Sequence, residues 1–146
     1  MKIGDKVKIK DVTLEEQGKF ALKHGFRWMD GCAALTPAGA VGRKRVIDAD
    51  GYGDGRPVCD YEWGWCIEKH DLPDFSDPAT LGCLRAQVKE KWGEESYTQS
   101  YDDGDGWIKW AYVEKRWKSG ELSRLCARDL DTETEALLMA LAAEVE

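Results

Sequence analysis

The sequence predicts an α+β protein: a β-rich first half forming a small barrel or strongly bent sheet, followed by an α-β-β-β-α module. Three observations carry this. Short strand-like runs separated by Gly and Asp clusters fill the first 73 residues. Helix-capping signatures precede apolar repeats near both ends of the second half. The charge divides at the same place, since residues 1–73 hold 12 basic and 12 acidic side chains while residues 74–146 hold 9 and 16, which places the whole net charge of −7 in the second half.

Lys6-Val7-Lys8-Ile9-Lys10 alternates strictly, so three lysines share one face of a half-buried strand. Thr13-Leu14-Glu15-Glu16 is a capping box and Gly25 a natural stop, giving a helix from Leu14 to about His24 that Gly18 weakens. Ala38 to Asp48 and Pro57 to Ile67 then have strand character. Tyr61, Trp63 and Trp65 alternate with Glu62, Gly64 and Cys66 in the second of these. Several short strands with Gly-rich turns in so short a stretch suggest a closed or bent sheet.

Pro73-Asp74-Phe75-Ser76-Asp77 reads as a linker between domains at 1–73 and 74–146. Asp77 is a good N-cap with Pro78 at the first helical position, and Leu81, Leu84, Val88 and Trp92 recur at helical spacing before Gly93. Ser96–Tyr101 and Trp107–Trp117 are strand-like on either side of an Asp-Gly turn, and Leu122–Ala127 follows a second turn. Thr132-Glu133-Thr134-Glu135 is another capping box, opening a helix with Leu138, Leu141 and Val145 on one stripe.

Chemistry-bearing motifs are scarce. The five cysteines, at 32, 59, 66, 83 and 126, are odd in number and irregularly spaced, which argues against a disulfide framework. Cys59, Cys66 and His70, with Cys32 or His24 as a fourth ligand, are the sharpest zinc candidates, although the sequence has no Cys-x-x-Cys pair. The simpler reading makes Cys66 a core residue and His70 a strand end, with Cys83 and Cys126 structural. Asp48–Gly55 begins like a calcium loop but places Tyr52 and Cys59 where oxygen ligands belong, and Asp102–Gly106 fails similarly at the following Trp107. Both suit turns better. No nucleophile elbow, phosphate-binding loop or dinucleotide fingerprint is present, so the expectation is a non-enzymatic protein with no cofactor. Without a membrane-length apolar run or a signal peptide, the expected location is the cytosol.

Two resemblances extend this reading. Met1 to Ile9, Gly39 to Asp48 and Trp65 to Leu72 resemble the strands of SH3-like or KOW-like small barrels, which implies such a barrel with a short inserted helix. Asp77 to Leu84, Trp92-Gly93, the aromatic strand from Trp107 and Thr132 to Leu138 resemble an αβα sandwich module of small accessory proteins from tailed phages and prophages. That resemblance implies a viral or mobile-element origin, and a host or phage protein as partner. The α-β-β-β-α order is also that of double-stranded RNA-binding domains, but their phosphate-binding lysines would fall at Asp131, Glu133 and Glu135, where phosphate is repelled.

The functional expectation is therefore protein binding through the acidic half, with Asp131, Glu133, Glu135, Trp107 and Trp110 as the contact residues. Acidic fields steer basic partners and aromatic residues dominate interface hot spots. In a phage setting the sharp form is inhibition of a host defence complex, of anti-restriction or anti-CRISPR type. The first alternative is nucleic-acid binding by a basic patch of Arg43, Lys44 and Arg45 with Lys6, Lys8 and Lys10. The second is the zinc reading above. Along Trp107–Val113, alternation puts Ile108, Trp110 and Tyr112 on one face and Trp107, Lys109, Ala111 and Val113 on the other, so at most one set is expected to be exposed.

Overall fold

The structure, a computed structural model, describes residues 13–35, 44–51, 57–59, 66–68, 71–115 and 124–143, with backbone alone at 114–115 and 124–129. The element order is α1 (Leu14–Lys23), β1 (Ala34–Leu35), β2 (Val46–Asp48), β3 (Val58–Cys59), β4 (Leu72–Pro73), α2 (Pro78–Trp92), β5 (Tyr97–Asp102), β6 (Ile108–Lys115), β7 (Arg124–Leu130) and α3 (Glu133–Ala142). The protein is α+β, and its second half has the α-β-β-β-α order. The chain forms two compact units, residues 13–83 and residues 84–146 with 1–12, so their boundary falls inside α2 and not at 73/74.

In residues 13–83 the sheet is open among the described residues and does not close into the expected barrel. β1 pairs antiparallel with β4 and β2 with β3, while single bridges join Ala33 to Arg45 and Val58 to Cys66. Strands of two or three residues give too few ladder bonds to wrap a sheet onto itself. Helix α1 begins as its capping box requires, the Thr13 hydroxyl accepting the Glu16 amide at 3.2 Å, and it ends at Gly25 with φ of +95°. Gly18 is an asset here, because a Cβ at that position would lie 2.8 Å from the Leu72 Cβ and 3.0 Å from the Pro73 carbonyl. The absent side chain lets α1 lie directly on β4. The stretch that reads as a linker is packed: Leu72, Pro73, Asp74, Phe75 and Asp77 are buried, and the Phe75 ring meets Phe26 edge-on at 5.4 Å.

In residues 84–146, β5, β6 and β7 form an antiparallel sheet in that order, with Tyr97 opposite Val113 and Asp102 opposite Ile108. Helix α3 packs on all three strands. Its Ala136, Leu137, Leu138, Met139, Ala140 and Leu141 are all buried, so the helix has an apolar surround where a single stripe is predicted. The second partner that makes this possible is α2. Arg85 pairs with Glu133 near the start of α3, Lys91 donates to the Leu141 carbonyl, and the Trp92 indole donates to the Ala140 carbonyl at 2.8 Å. Contacts that advance together along both helices make α2 and α3 parallel. Gly93, with φ of +107°, ends α2.

Candidate functional site

The residues nominated from the sequence have three different fates. Of the basic patch, Lys44 and Arg45 are described, and both are engaged inside residues 13–83. The buried Lys44 ammonium lies 2.8 Å from Asp71 Oδ2 and donates to the Cys66 carbonyl, while the same Asp71 oxygen accepts the Glu68 amide. Arg45 grips Asp77 with both terminal nitrogens, at 2.9 and 3.1 Å, and donates to the Gly31 carbonyl at 2.7 Å. Asp77 is simultaneously the N-cap of α2, accepting from the Thr80 amide and hydroxyl at 3.0 Å. Thr80 then accepts the Ala33 amide at 2.7 Å, tying the helix start to the sheet. Hydrogen bonding to Arg45 is the main reason the Asp77 carboxyl is held down at about 2. Arg43, Lys6, Lys8 and Lys10 lie outside the described residues.

The zinc candidates are only partly described, since His70 lies outside the described residues. Cys59 is buried on β3, and burial pushes its thiol up to about 11 against the opposing pull of the Lys44 ammonium. Cys66 is half-buried and bridges to Val58. Cys32 is fully buried, and burial, followed by its hydrogen bond with Cys83, pushes its thiol up to about 12. Among the described residues no group of three His, Cys, Asp or Glu side chains is arranged to hold a metal ion.

The carboxylates nominated at the start of α3 are drawn into the fold. Asp131 pairs with Lys109 at 2.6 Å and Glu133 pairs with Arg85. Glu135 is buried and completes the capping box, its amide donating to the Thr132 hydroxyl at 3.1 Å while that hydroxyl donates to its carboxylate at 3.2 Å. Little of this charge faces outward unpaired.

The aromatic strand divides by position along β6, not by face. Trp107 and Ile108 point to opposite sides, yet they are 69% and 59% exposed. Ala111, Tyr112 and Val113 also alternate, and all three are buried, with the Tyr112 hydroxyl 2.7 Å from that of Ser96. Both faces of the sheet are thus covered at its middle, while the β5–β6 hairpin runs beyond the cover. Trp110 and Lys109, at intermediate exposure, mark the transition.

This hairpin tip, Asp102-Asp103-Gly104-Asp105-Gly106-Trp107-Ile108, is the candidate site. Its backbone is held by its own side chains: Asp102 accepts the Gly104 amide at 2.8 Å, and Asp103 accepts those of Asp105 at 2.8 Å and Trp107 at 3.3 Å. The Asp103 amide closes the turn on the Trp107 carbonyl at 3.1 Å. Gly104 and Gly106 sit at φ of +94° and +87°, a region that other residues enter only with strain. All of residues 102–108 are exposed. The tip therefore presents two large apolar side chains and three carboxylates on a turn that is already ordered. Of its members the sequence nominates only Trp107, for Asp102 to Gly106 read as turn chemistry and alternation leaves open whether the face of Ile108 or that of Trp107 is exposed.

Comparison of the chain with protein-family models, curated proteins and solved structures gave no match. Among the described residues no helix is long and apolar enough to cross a membrane. Fold and tip together define an α+β protein that presents, among the described residues, an exposed aromatic-acidic hairpin end.

Proposed function

We propose that this chain is a non-enzymatic accessory protein that acts by binding another protein through the β5–β6 hairpin tip. The supporting observation is that Trp107 and Ile108, consecutive in the chain at a pre-ordered turn, are 69% and 59% exposed. A tryptophan left mostly in water is costly to the free protein and is the residue type most enriched at interface hot spots. An ordered turn also loses little conformational entropy when it docks. The acidic half keeps its role in this reading, but the carboxylates that act are Asp102, Asp103 and Asp105. The segments that resemble phage accessory modules supply the setting, with a host protein as partner.

The test is capture from host lysate on immobilised protein, comparing wild type with a Trp107→Ala/Ile108→Ser variant of unchanged melting temperature. A partner held by wild type, released by salt and missing from the variant is the expected result. Identical capture by both proteins removes the hairpin from the proposal.

A further inference from the structure

The tip has a charge as well as an apolar surface, and together they restrict what can sit on it. Residues 102–108 carry three carboxylates and no cation. The next cation along β6, Lys109, is committed to Asp131. Asp102 and Asp103 each use one oxygen to hold the turn, whereas no described residue partners the Asp105 carboxylate. A phosphate-bearing or acidic partner is repelled by this arrangement, and a purely apolar one would strand the carboxylates in a dry interface.

We propose that the hairpin tip receives an arginine side chain flanked by apolar residues on the partner protein, an assignment that rests on the protein-binding reading above. The apolar neighbours cover Ile108 and the indole of Trp107. The guanidinium satisfies both remaining demands at once, since its planar face stacks on an indole and its edge donates two parallel hydrogen bonds to a carboxylate. Lysine carries the same charge but is more strongly hydrated and offers neither the plane nor the fork, so it is the weaker occupant. The pre-ordered turn keeps Trp107 and Asp105 two residues apart on one short loop, where a single side chain can address both.

The experiment uses the full chain labelled with 15N, titrated to millimolar concentration with acetylated and amidated leucyl-arginyl-leucine and with analogues carrying lysine or glutamate in the central place. Backbone amides of residues 102–108 and the Trp107 indole N–H are followed. The arginyl peptide is expected to shift these signals and no others, the lysyl peptide to do so several-fold more weakly, and the glutamyl peptide not at all. Asp105→Asn should weaken the arginyl peptide by about two- to fivefold, the range of an exposed ion pair. Trp107→Ala should abolish the Ile108 amide shift. Equal tip shifts from all three peptides overturn the arginine assignment and leave the protein-binding reading standing, as does an absence of shifts while lysate capture still depends on Trp107. No shifts, together with capture indifferent to Trp107 and Ile108, overturn both.

Discussion

Residues 13–83 and residues 84–146 solve the problem of burial in opposite ways. Among its described residues the first unit has short strands and a helix resting on a glycine, and its connections are polar: buried Lys44 on Asp71, partly exposed Arg45 on Asp77, and Thr80 between Asp77 and the Ala33 amide. In the second unit the centre is α3, apolar on all sides, and the ion pairs Arg85–Glu133 and Lys109–Asp131 stand at its edge. Where regular structure is sparse, directional polar contacts fix the chain's path. Where an apolar helix and three paired strands are available, apolar area is enough, and the end of the hairpin stays exposed.

Breaking one partner of a buried ion pair tests the first half of that contrast most severely. Asp71→Ala should cost about 3–5 kcal/mol in denaturant unfolding, because it removes the carboxylate that lies 2.8 Å from the buried Lys44 ammonium. A Lys44→Met/Asp71→Leu pair should recover most of the loss. If Asp71→Ala is mild, charge does not hold this unit together. In the other unit Leu138→Ala, at a fully buried position, should cost about 2–5 kcal/mol by cavity formation.

The pH dependence sharpens the comparison further. Asp77 is held at about 2 in the folded protein against an ordinary 3.8, chiefly by its hydrogen bond with Arg45. A depressed folded-state value means the stabilisation is complete above the unfolded value and disappears as pH falls from about 4 through 2, an effect on the order of 2 kcal/mol. Acid titration monitored by circular dichroism should show this loss in wild type and a flatter profile in Asp77→Asn.

Two glycines give a smaller and more local contrast. Gly18→Ala should destabilise by about 1–3 kcal/mol, because the added methyl collides with Leu72 and Pro73. Gly82→Ala, in α2 with no atom within 4 Å of the new Cβ, should stabilise by about 0.5–1 kcal/mol. The smallest effect belongs to the hairpin: Trp107→Ala should change stability by less than about 0.5 kcal/mol, since the side chain is already in water. A large loss would mean that Trp107 serves the fold.

What was legible in the sequence was local. The caps at Thr13, Asp77 and Thr132 and the stops at Gly25 and Gly93 depend on residues within one turn of each other, and the structure has all five. The helices of the α-β-β-β-α order follow from such caps, and its strands from the strand-like runs and the Asp-Gly turn between them. Arg45 and Lys44 look like a surface patch in the sequence because their partners, Asp77 and Asp71, lie some 30 residues further along the chain, and no periodicity announces such a pairing. Similarly, alternation along β6 gives two faces, but it does not tell that both are covered at Tyr112 and neither at Trp107. The barrel expectation counted Gly-punctuated runs as full strands, and the described ones are two or three residues long.

The close approach at Gly18 also acts as a detent. A helix crossing a strand on ordinary side chains can slip by a residue or rotate a few degrees at small cost, but here a single notch in α1 receives the Leu72-Pro73 backbone. A slide of one turn along the helix axis would bring Leu14 or Leu22, on the same face as Gly18, into a space that does not admit a methyl group. One missing side chain thereby sets the register of α1 on β4 to a single position, as a key way sets a shaft.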